Sequence, residues 1–273
     1  MMNDWNAGTV MPIQPYIVLM SQGYQRIEIA ELGISHVYEF KVKDGNSHRF
    51  HAVPDGSIDL LFNIGDDGTV HTYLSGTVFK VKGWEVGDNN TCFGVRFQPG
   101  KGVLPKDLCM DMIVNQDLEI DGRLYGATLP EEIAEAGDIC ARTRIFMAAY
   151  RNLVETAQQQ DMRQNINIYV RDRISAFQGN IAIEKLAEET GYSACYIRRI
   201  FKQCNGISPK QFAEYVRFQH LLHIMKEIKG DYANAAAVCG YYDEPHMMKA
   251  FKDYTGVTPQ QYSSMIENNR KFL

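Results

Sequence analysis

The C-terminal third of the chain contains a duplication, and no other feature restricts the fold as much. The first copy reads Leu186-Ala187-Glu188-Glu189-Thr190-Gly191-Tyr192-Ser193, then Ala194 to Lys202, then Gly206-Ile207-Ser208-Pro209 and Phe212. The second reads Ala236-Ala237-Val238-Cys239-Gly240-Tyr241-Tyr242-Asp243, then Glu244 to Lys252, then Gly256-Val257-Thr258-Pro259 and Tyr262. Gly191 matches Gly240, Phe201-Lys202 matches Phe251-Lys252, and the second turn is one residue longer. The shared residues have separate physical jobs. Ala187 or Ala236 is small where a second helix crosses. Gly191 or Gly240 ends the first helix, because glycine adopts the left-handed conformation of a C-cap without strain. Tyr192 or Tyr241 fills the corner, and Ser193 or Asp243 caps the next helix. Ile197, Ile200 and Phe201 supply a buried face in the first copy; Met247, Ala250 and Phe251 supply it in the second. Ser208-Pro209 and Thr258-Pro259 set a cap and a helix start.

Such a pair of helices around a tight turn is the helix-turn-helix, whose second helix enters the major groove and reads base edges with its outward residues. In the first copy the outward positions are Ser193, Ala194, Cys195, Arg198, Arg199 and Lys202. In the second they are Glu244, Pro245, His246, Met248, Lys249 and Lys252. Arginine pairs bidentately with guanine, while lysines and helix N-termini hold phosphates. A lone basic residue on a helix would read as a solvated face. Two copies with matching glycine, aromatic corner and cap predict double-stranded DNA as the partner. Charge agrees: residues 165–273 carry 14 Lys and Arg against 11 Asp and Glu, and the remainder 14 against 22, within a net charge of −5. A mildly basic end on an acidic body suits a DNA-binding domain on a separate regulatory one.

On these residues, over about Asn167 to Tyr262, the chain resembles the AraC family of bacterial regulators. The run from Cys239 through Lys252, closing on Gly256-Val257-Thr258-Pro259-Gln260-Gln261-Tyr262, carries the resemblance most strongly. It implies two small helical subdomains joined by one long helix, here about Pro209 to Lys229, with both recognition helices in successive major grooves. Carried over by position, the base-reading candidates are Cys195, Arg198 and Arg199, then Glu244, Pro245, Met248 and Lys249. Pro245 and Met248 depart from the polar residues usual there, which points to looser base reading by the second helix. The resemblance further implies a homodimer, contact with RNA polymerase, and activation more often than repression.

The N-terminal part reads differently. Tyr16–Met20, His36–Val42, Ile58–Ile64, Val70–Leu74 and Phe93–Phe97 are short apolar or alternating runs that predict strands. They are punctuated by Asp44-Gly45-Asn46, Pro54-Asp55-Gly56, Gly65-Asp66-Asp67-Gly68, Gly87-Asp88-Asn89-Asn90 and Pro99-Gly100, which predict turns and together a barrel or sandwich. The runs Val53 to Asn63 and Gly94 to Gly100 resemble the cupin-like sensor domain of some of these regulators, which implies a small β-barrel able to hold an effector. Leu60, Phe62, Tyr73, Phe93, Val95, Arg96 and Phe97 are the candidate lining, with a filled core as the alternative for any one of them. Arg96 either meets an acidic effector, forms a structural ion pair or faces solvent.

The expected fold class is therefore α+β and multidomain. It comprises a cupin-like β-barrel over 1–128, a helical linker or dimerisation segment over 129–164, and an all-α domain with two helix-turn-helix units over 165–273. Between Glu131 and Gln160, Ile139, Phe146 and Leu153 recur every seven residues beside Tyr150. That pattern gives an amphipathic helix, or two, packed on the barrel or forming a dimer seam. Gln158–Gln164 is a plausible hinge.

Enzymatic readings are weaker. His36, His48, His51 and His71 lie in the N-terminal half, but residues three apart, such as His48 and His51, point to opposite faces of a strand. No Walker-type, Gly-x-Ser-x-Gly or His-Glu-x-x-His motif occurs. We expect no metal, no cofactor and no enzyme. Two alternatives stay open: a regulator controlled by a protein partner or by abundance rather than a ligand, and a cupin-type enzyme fused to a DNA-binding domain. The six cysteines lack a paired spacing and read as reduced, mostly buried thiols. Cys195 is a small side chain near DNA or a redox switch. No apolar run approaches the roughly 20 residues that span a bilayer, and Met1 to Pro12 lacks a signal-peptide pattern. The expectation is a cytoplasmic protein without a membrane partner.

Overall fold

The structure is a computed structural model that describes residues 13–29, 31–42, 50–84, 90–106, 108–157, 162–228 and 230–268. The expected turns at Asp44 to Asn46 and Gly87 to Asn89, the residue His48 and most of the hinge around Gln158 lie outside them. The chain divides into two compact units, essentially Gln14–Gln159 and Gln160–Arg270.

In chain order the first unit contains α1 (Pro15–Met20), β1 (Ser21–Glu28), β2 (Ile34–Val42), β3 (Phe50–Ala52), β4 (Ile58–Ile64), β5 (Val70–Ser75), β6 (Lys82–Trp84), β7 (Thr91–Phe97), α2 (Met110–Ile113), β8 (Asp117–Ile120), α3 (Leu129–Glu135) and α4 (Ile139–Ala157). Six strands form one antiparallel sheet in the order β1-β2-β7-β4-β5-β8, and β3 pairs with β6 in a small second sheet. The expected β-rich unit is present, but the sheet is not closed into a barrel, because β1 and β8 are its open edges. One expected strand is a helix: Tyr16–Met20 falls in α1, where Pro15 occupies the first turn with its φ already set for a helix.

Strand alternation divides the side chains between two faces. Leu60, Phe62, Phe93, Val95 and Phe97 face Ile133, Ile139, Phe146 and Tyr150 in one continuous core. The seven-residue stripe of α4 is thus buried within its own unit, with Ile139, Phe146 and Tyr150 in the core and Leu153 packed partly against it. Arg142 of α4 reaches Glu39 of β2 at 2.7 Å, and the backbone N–H of Val103 donates to the Tyr150 hydroxyl at 2.9 Å. The opposite face carries Ile17, Tyr38, Phe40, Val42, Leu61 and Cys92, with Tyr73 partly buried against them. Gly94 is required on this face. It pairs with Tyr38 across the strands, and a Cβ there would lie 2.2 Å from the Tyr38 ring.

The second unit is all helical in its described residues: α5 (Met162–Ala176), α6 (Ile183–Thr190), α7 (Ala194–Asn205), α8 (Pro209–Ile228), α9 (Tyr232–Val238), α10 (Glu244–Thr255) and α11 (Pro259–Asn268). The long helix expected from Pro209 is α8. Its side chains Phe212, Tyr215, Phe218 and Leu221 are buried, with Phe201 against Phe212 and Phe251 against Phe218. One helix therefore serves both repeats.

Cysteine burial differs from expectation. Cys92 and Cys239 are buried, Cys204 is intermediate, and Cys109, Cys140 and Cys195 are exposed. All are free.

The approach of Tyr38 to Gly94 sets a test. Gly94→Ala should destabilise the chain by about 1–3 kcal/mol through overpacking. In a Tyr38→Ala background the same change should cost much less. Urea unfolding of the two single variants and the double variant measures that difference.

Candidate functional site

In the first repeat Gly191 takes φ 74° and its N–H closes α6 on the Ala187 carbonyl at 2.9 Å. Ser193 follows, its hydroxyl accepting from the Tyr196 N–H at 3.2 Å, so α7 starts after the three-residue turn Gly191-Tyr192-Ser193. Gly206 then ends α7 at φ 70°, and Ser208 and Gln211 exchange hydrogen bonds in a capping box that starts α8. The second repeat uses the same devices. Gly240 is at φ 73°, Asp243 accepts from the His246 N–H at 2.8 Å, Gly256 is at φ 78°, and Thr258 and Gln261 form the second capping box.

Buried Ile197, Ile200 and Phe201 fix the rotation of α7, and Met247 and Phe251 fix that of α10; Ala250 is only half-buried. The opposite faces are thereby presented to solvent. Ser193, Cys195, Arg198, Arg199 and Lys202 are exposed and Ala194 is intermediate. Pro245, His246, Lys249 and Lys252 are exposed, with Glu244 and Met248 intermediate. Each predicted set lies on one recognition helix or its cap. Two features escaped the sequence reading. Arg198 is paired with Glu184 of α6 at 3.2 Å, and the Arg199 guanidinium sits over the Tyr196 ring at 5.2 Å.

Five of the seven predicted effector-lining residues come together, but as packed core, while Tyr73 and Arg96 lie on the other face. Leu60, Phe62, Phe93, Val95 and Phe97 are fully buried in the core beneath α3 and α4, where they fill space instead of bounding a cavity. Strand alternation puts Arg96 on the other face, where a cleft with about 40 Å³ of water-accessible space is bounded by Tyr38, Asp55, Ser57, Asp59, Lys82 and Arg96 among others. Of the seven predicted residues, this lining contains Arg96 alone.

Arg96 is 3% exposed and is bound by two carboxylates, Asp59 at 2.5 Å and Asp55. Asp59 is its cross-strand neighbour on β4, and His36 is its neighbour on β2. Burial alone would lower the Arg96 pKa, but Asp55 and Asp59 more than offset this and keep it protonated. Burial, then the Arg96 charge, holds the His36 imidazole neutral with a pKa lowered to about 2. Burial raises Asp59 to about 6 despite Arg96. The Arg96 Nε and the Ser57 hydroxyl are buried without a hydrogen-bond partner. The remaining histidines are dispersed: His71 contacts Glu119 at 2.8 Å and His51 packs edge-on to Tyr16. Among the described residues no cluster of His, Cys, Asp and Glu is placed to hold a metal, and no helix is long and apolar enough to cross a membrane.

The second unit is a tandem helix-turn-helix domain. Residues 186–265 match the family model described as "Helix-turn-helix domain". An "Uncharacterized HTH-type transcriptional regulator" of Haemophilus influenzae is 32% identical over 122 residues, 44% of this chain and 40% of that protein. The "Multiple antibiotic resistance protein MarA" of Escherichia coli is 27% identical over 94 residues, 34% of this chain and 74% of MarA. The chain thus spans well under two thirds of the length of the Haemophilus relative. Among solved structures, ToxT from Vibrio cholerae aligns over 89% of this chain and 98% of its own, with 12% identity and a TM-score of 0.41.

The charged row His36–Arg96–Asp59 gives a pH prediction. His36 contributes stability that is fully present above its ordinary pKa of 6.5 and is lost as pH falls towards about 2. Asp59 works in the opposite sense. Its contribution is full below its ordinary 3.8 and is lost as pH rises through about 6. Between roughly pH 4 and 6 the two slopes, each ~1.4 kcal/mol per pH unit, should largely cancel. Relative to the parent chain, His36→Gln should therefore lose stability as pH rises through that window, and Asp59→Asn should gain it. Urea unfolding midpoints at half-unit pH steps measure both slopes, and parallel curves for all three proteins would contradict the assignment.

Proposed function

We propose that the chain is a sequence-specific DNA-binding transcription regulator. One observation carries this reading: two helix-turn-helix repeats, capped in the same way, each present an outward face that carries basic residues, and the first of them offers Arg198 and Arg199. Cys195, Arg198 and Arg199 read base edges. Glu244, Pro245 and Met248 touch the groove with less discrimination. Lys202, Lys249 and Lys252 hold phosphates, as do the capped helix starts at Ser193, with Ala194, and at His246. The match of residues 186–265 to a helix-turn-helix family supports the DNA partner. Activation through RNA polymerase, a homodimer, a cytoplasmic location and the absence of enzymatic activity follow from this reading. The buried stripe of α4 is already occupied by the core of its own unit. A dimer seam therefore uses other residues.

A small-molecule effector is part of the proposal, with its place moved from the apolar core to the cleft at Arg96. The unpartnered Arg96 Nε and Ser57 hydroxyl support that placement, since buried polar atoms normally find partners. The fully buried residues Leu60, Phe62, Phe93, Val95 and Phe97 favour a second reading, in which abundance or a protein partner controls the regulator and no ligand enters.

The test is fluorescence anisotropy of the full chain on duplexes enriched from a randomised pool, at several salt concentrations. Arg199→Ala should cost about 1–3 kcal/mol on the enriched duplex and relax preference at one base pair. Lys202→Ala should weaken all duplexes alike and reduce the salt slope by about 1. Enrichment of no sequence would overturn the regulator reading. If DNA affinity is the same with every metabolite screened, the second reading replaces the effector.

A further inference from the structure

We infer that Tyr196 is a positioning residue that holds the Arg199 guanidinium ready for a guanine edge. The inference rests on the DNA-binding reading above. Tyr196 and Arg199 are three apart on α7 and so are neighbours on the helix surface. The Arg199 guanidinium carbon lies 5.2 Å from the Tyr196 ring centroid, within the range of a cation–π contact. From the preceding turn Tyr192 stacks on Tyr196, with centroids 5.2 Å apart and planes 25° from parallel. Tyr192, Tyr196 and Arg199 form a ladder along one flank of the recognition helix.

The kind of partner decides what the arginine can do. A guanidinium carries its five N–H donors in its own plane. A carboxylate binds through those donors. An aromatic ring attracts the charge electrostatically and leaves the donors unused. Among the described residues Arg199 has no carboxylate partner, whereas Arg198 gives an N–H to Glu184 at 3.2 Å. Arg198 must exchange that bond for a base, but Arg199 meets the groove with its donors free and its side-chain torsions already restricted. Tyr196 is half-buried and lies outside the core formed by Ile197, Ile200 and Phe201, so its replacement leaves the packing of the repeat in place.

The experiment compares the full chain with Tyr196→Phe, Tyr196→Leu, Arg199→Ala and the Tyr196→Leu/Arg199→Ala double variant. The probes are the duplex enriched from a randomised pool by the parent chain and its single-base-pair variants. Tyr196→Leu should reduce discrimination by about two- to five-fold at the base pair whose preference Arg199→Ala abolishes, and nowhere else. Tyr196→Phe keeps the ring and should retain discrimination. Tyr196→Leu should add nothing in the Arg199→Ala background, and its salt slope should equal the parent's. The inference is overturned if Tyr196→Leu keeps full preference at that base pair, if Tyr196→Phe falls as far as Tyr196→Leu, or if the double variant shows additive losses. Should the parent chain enrich no sequence, the DNA-binding reading fails and the inference with it. Normal enrichment by the parent with an unaltered Tyr196→Leu removes the inference alone.

Discussion

A guanidinium buried in the centre of a sheet dictates much of the first unit. Arg96 sits on β7, with a strand on either side, at a depth where an unpaired charge is not tolerated. It needs carboxylates, and the chain supplies two by different routes. Asp59 comes by cross-strand register from β4, and Asp55 comes from the turn that leads into that strand. The Asp55 turn is held in its own right. Asp55 accepts from the Ser57 N–H at 2.8 Å, and Thr77 accepts from the Gly56 N–H at 3.0 Å. Removing either half of such a buried arrangement costs about 3–5 kcal/mol, because the other half stays behind unpaired. On the other flank burial, reinforced by the same charge, keeps His36 neutral. This face of the sheet is therefore polar at its centre and aromatic beside it, through Tyr24, Tyr38 and Phe40, of which Tyr38 also borders the cleft.

The second unit depends on backbone geometry more than on charge. Left-handed glycines at 191, 206, 240 and 256 end helices at fixed points, and caps two or three residues later start the next ones. Conserving that punctuation in both copies fixes how each second helix is presented. What each helix presents is free to differ. The first offers two arginines, which carry base-specific hydrogen-bonding capacity. The second offers Pro245 in its first turn, a half-exposed Met248 and two lysines, which suits it to shape and phosphate contacts.

Legibility in the sequence follows the range of the interactions. Caps, glycine stops and the Ser/Thr-x-x-Gln boxes act over three or four residues, so the repeat, its boundaries and its outward residues could be read directly. The strands at Ile58–Ile64 and Phe93–Phe97 were equally plain. Their alternation separated Leu60 and Phe62 from Asp59 and Leu61, but could not say which set the helices would cover. Alternation alone leaves pocket lining and filled core open for the apolar set, and the helices make it core. A signal for the cleft was present: Asp59 and Arg96 are charges within otherwise apolar runs, and burial forces such charges together. β1 was missed because an edge strand reading Ser-Gln-Gly-Tyr-Gln-Arg-Ile-Glu has no buried face to impose alternation. α1 was mistaken for a strand because six residues are too few to show a helical period, and the decisive residue, Pro15, lay just before the run.

Arg96, Arg198 and Arg199 show how one side chain takes different roles according to what compensates its charge. At Arg96 two carboxylates engage the guanidinium head, and only the buried Nε is left without a partner. At Arg198 a single exposed carboxylate engages one donor through a pair worth about 0–1 kcal/mol, which a nucleic acid can displace. At Arg199 the charge rests on a ring face and every donor stays available. The sequence Tyr-Ile-Arg-Arg at 196–199 encodes the last two outcomes by helical geometry alone. Arg199, three residues after Tyr196, falls on the ring. Arg198, two residues after it, points away from the ring and towards Glu184 of the preceding helix. An arginine at 199 thus carries a preorganised donor set, whereas one at 198 carries a set that must first be released.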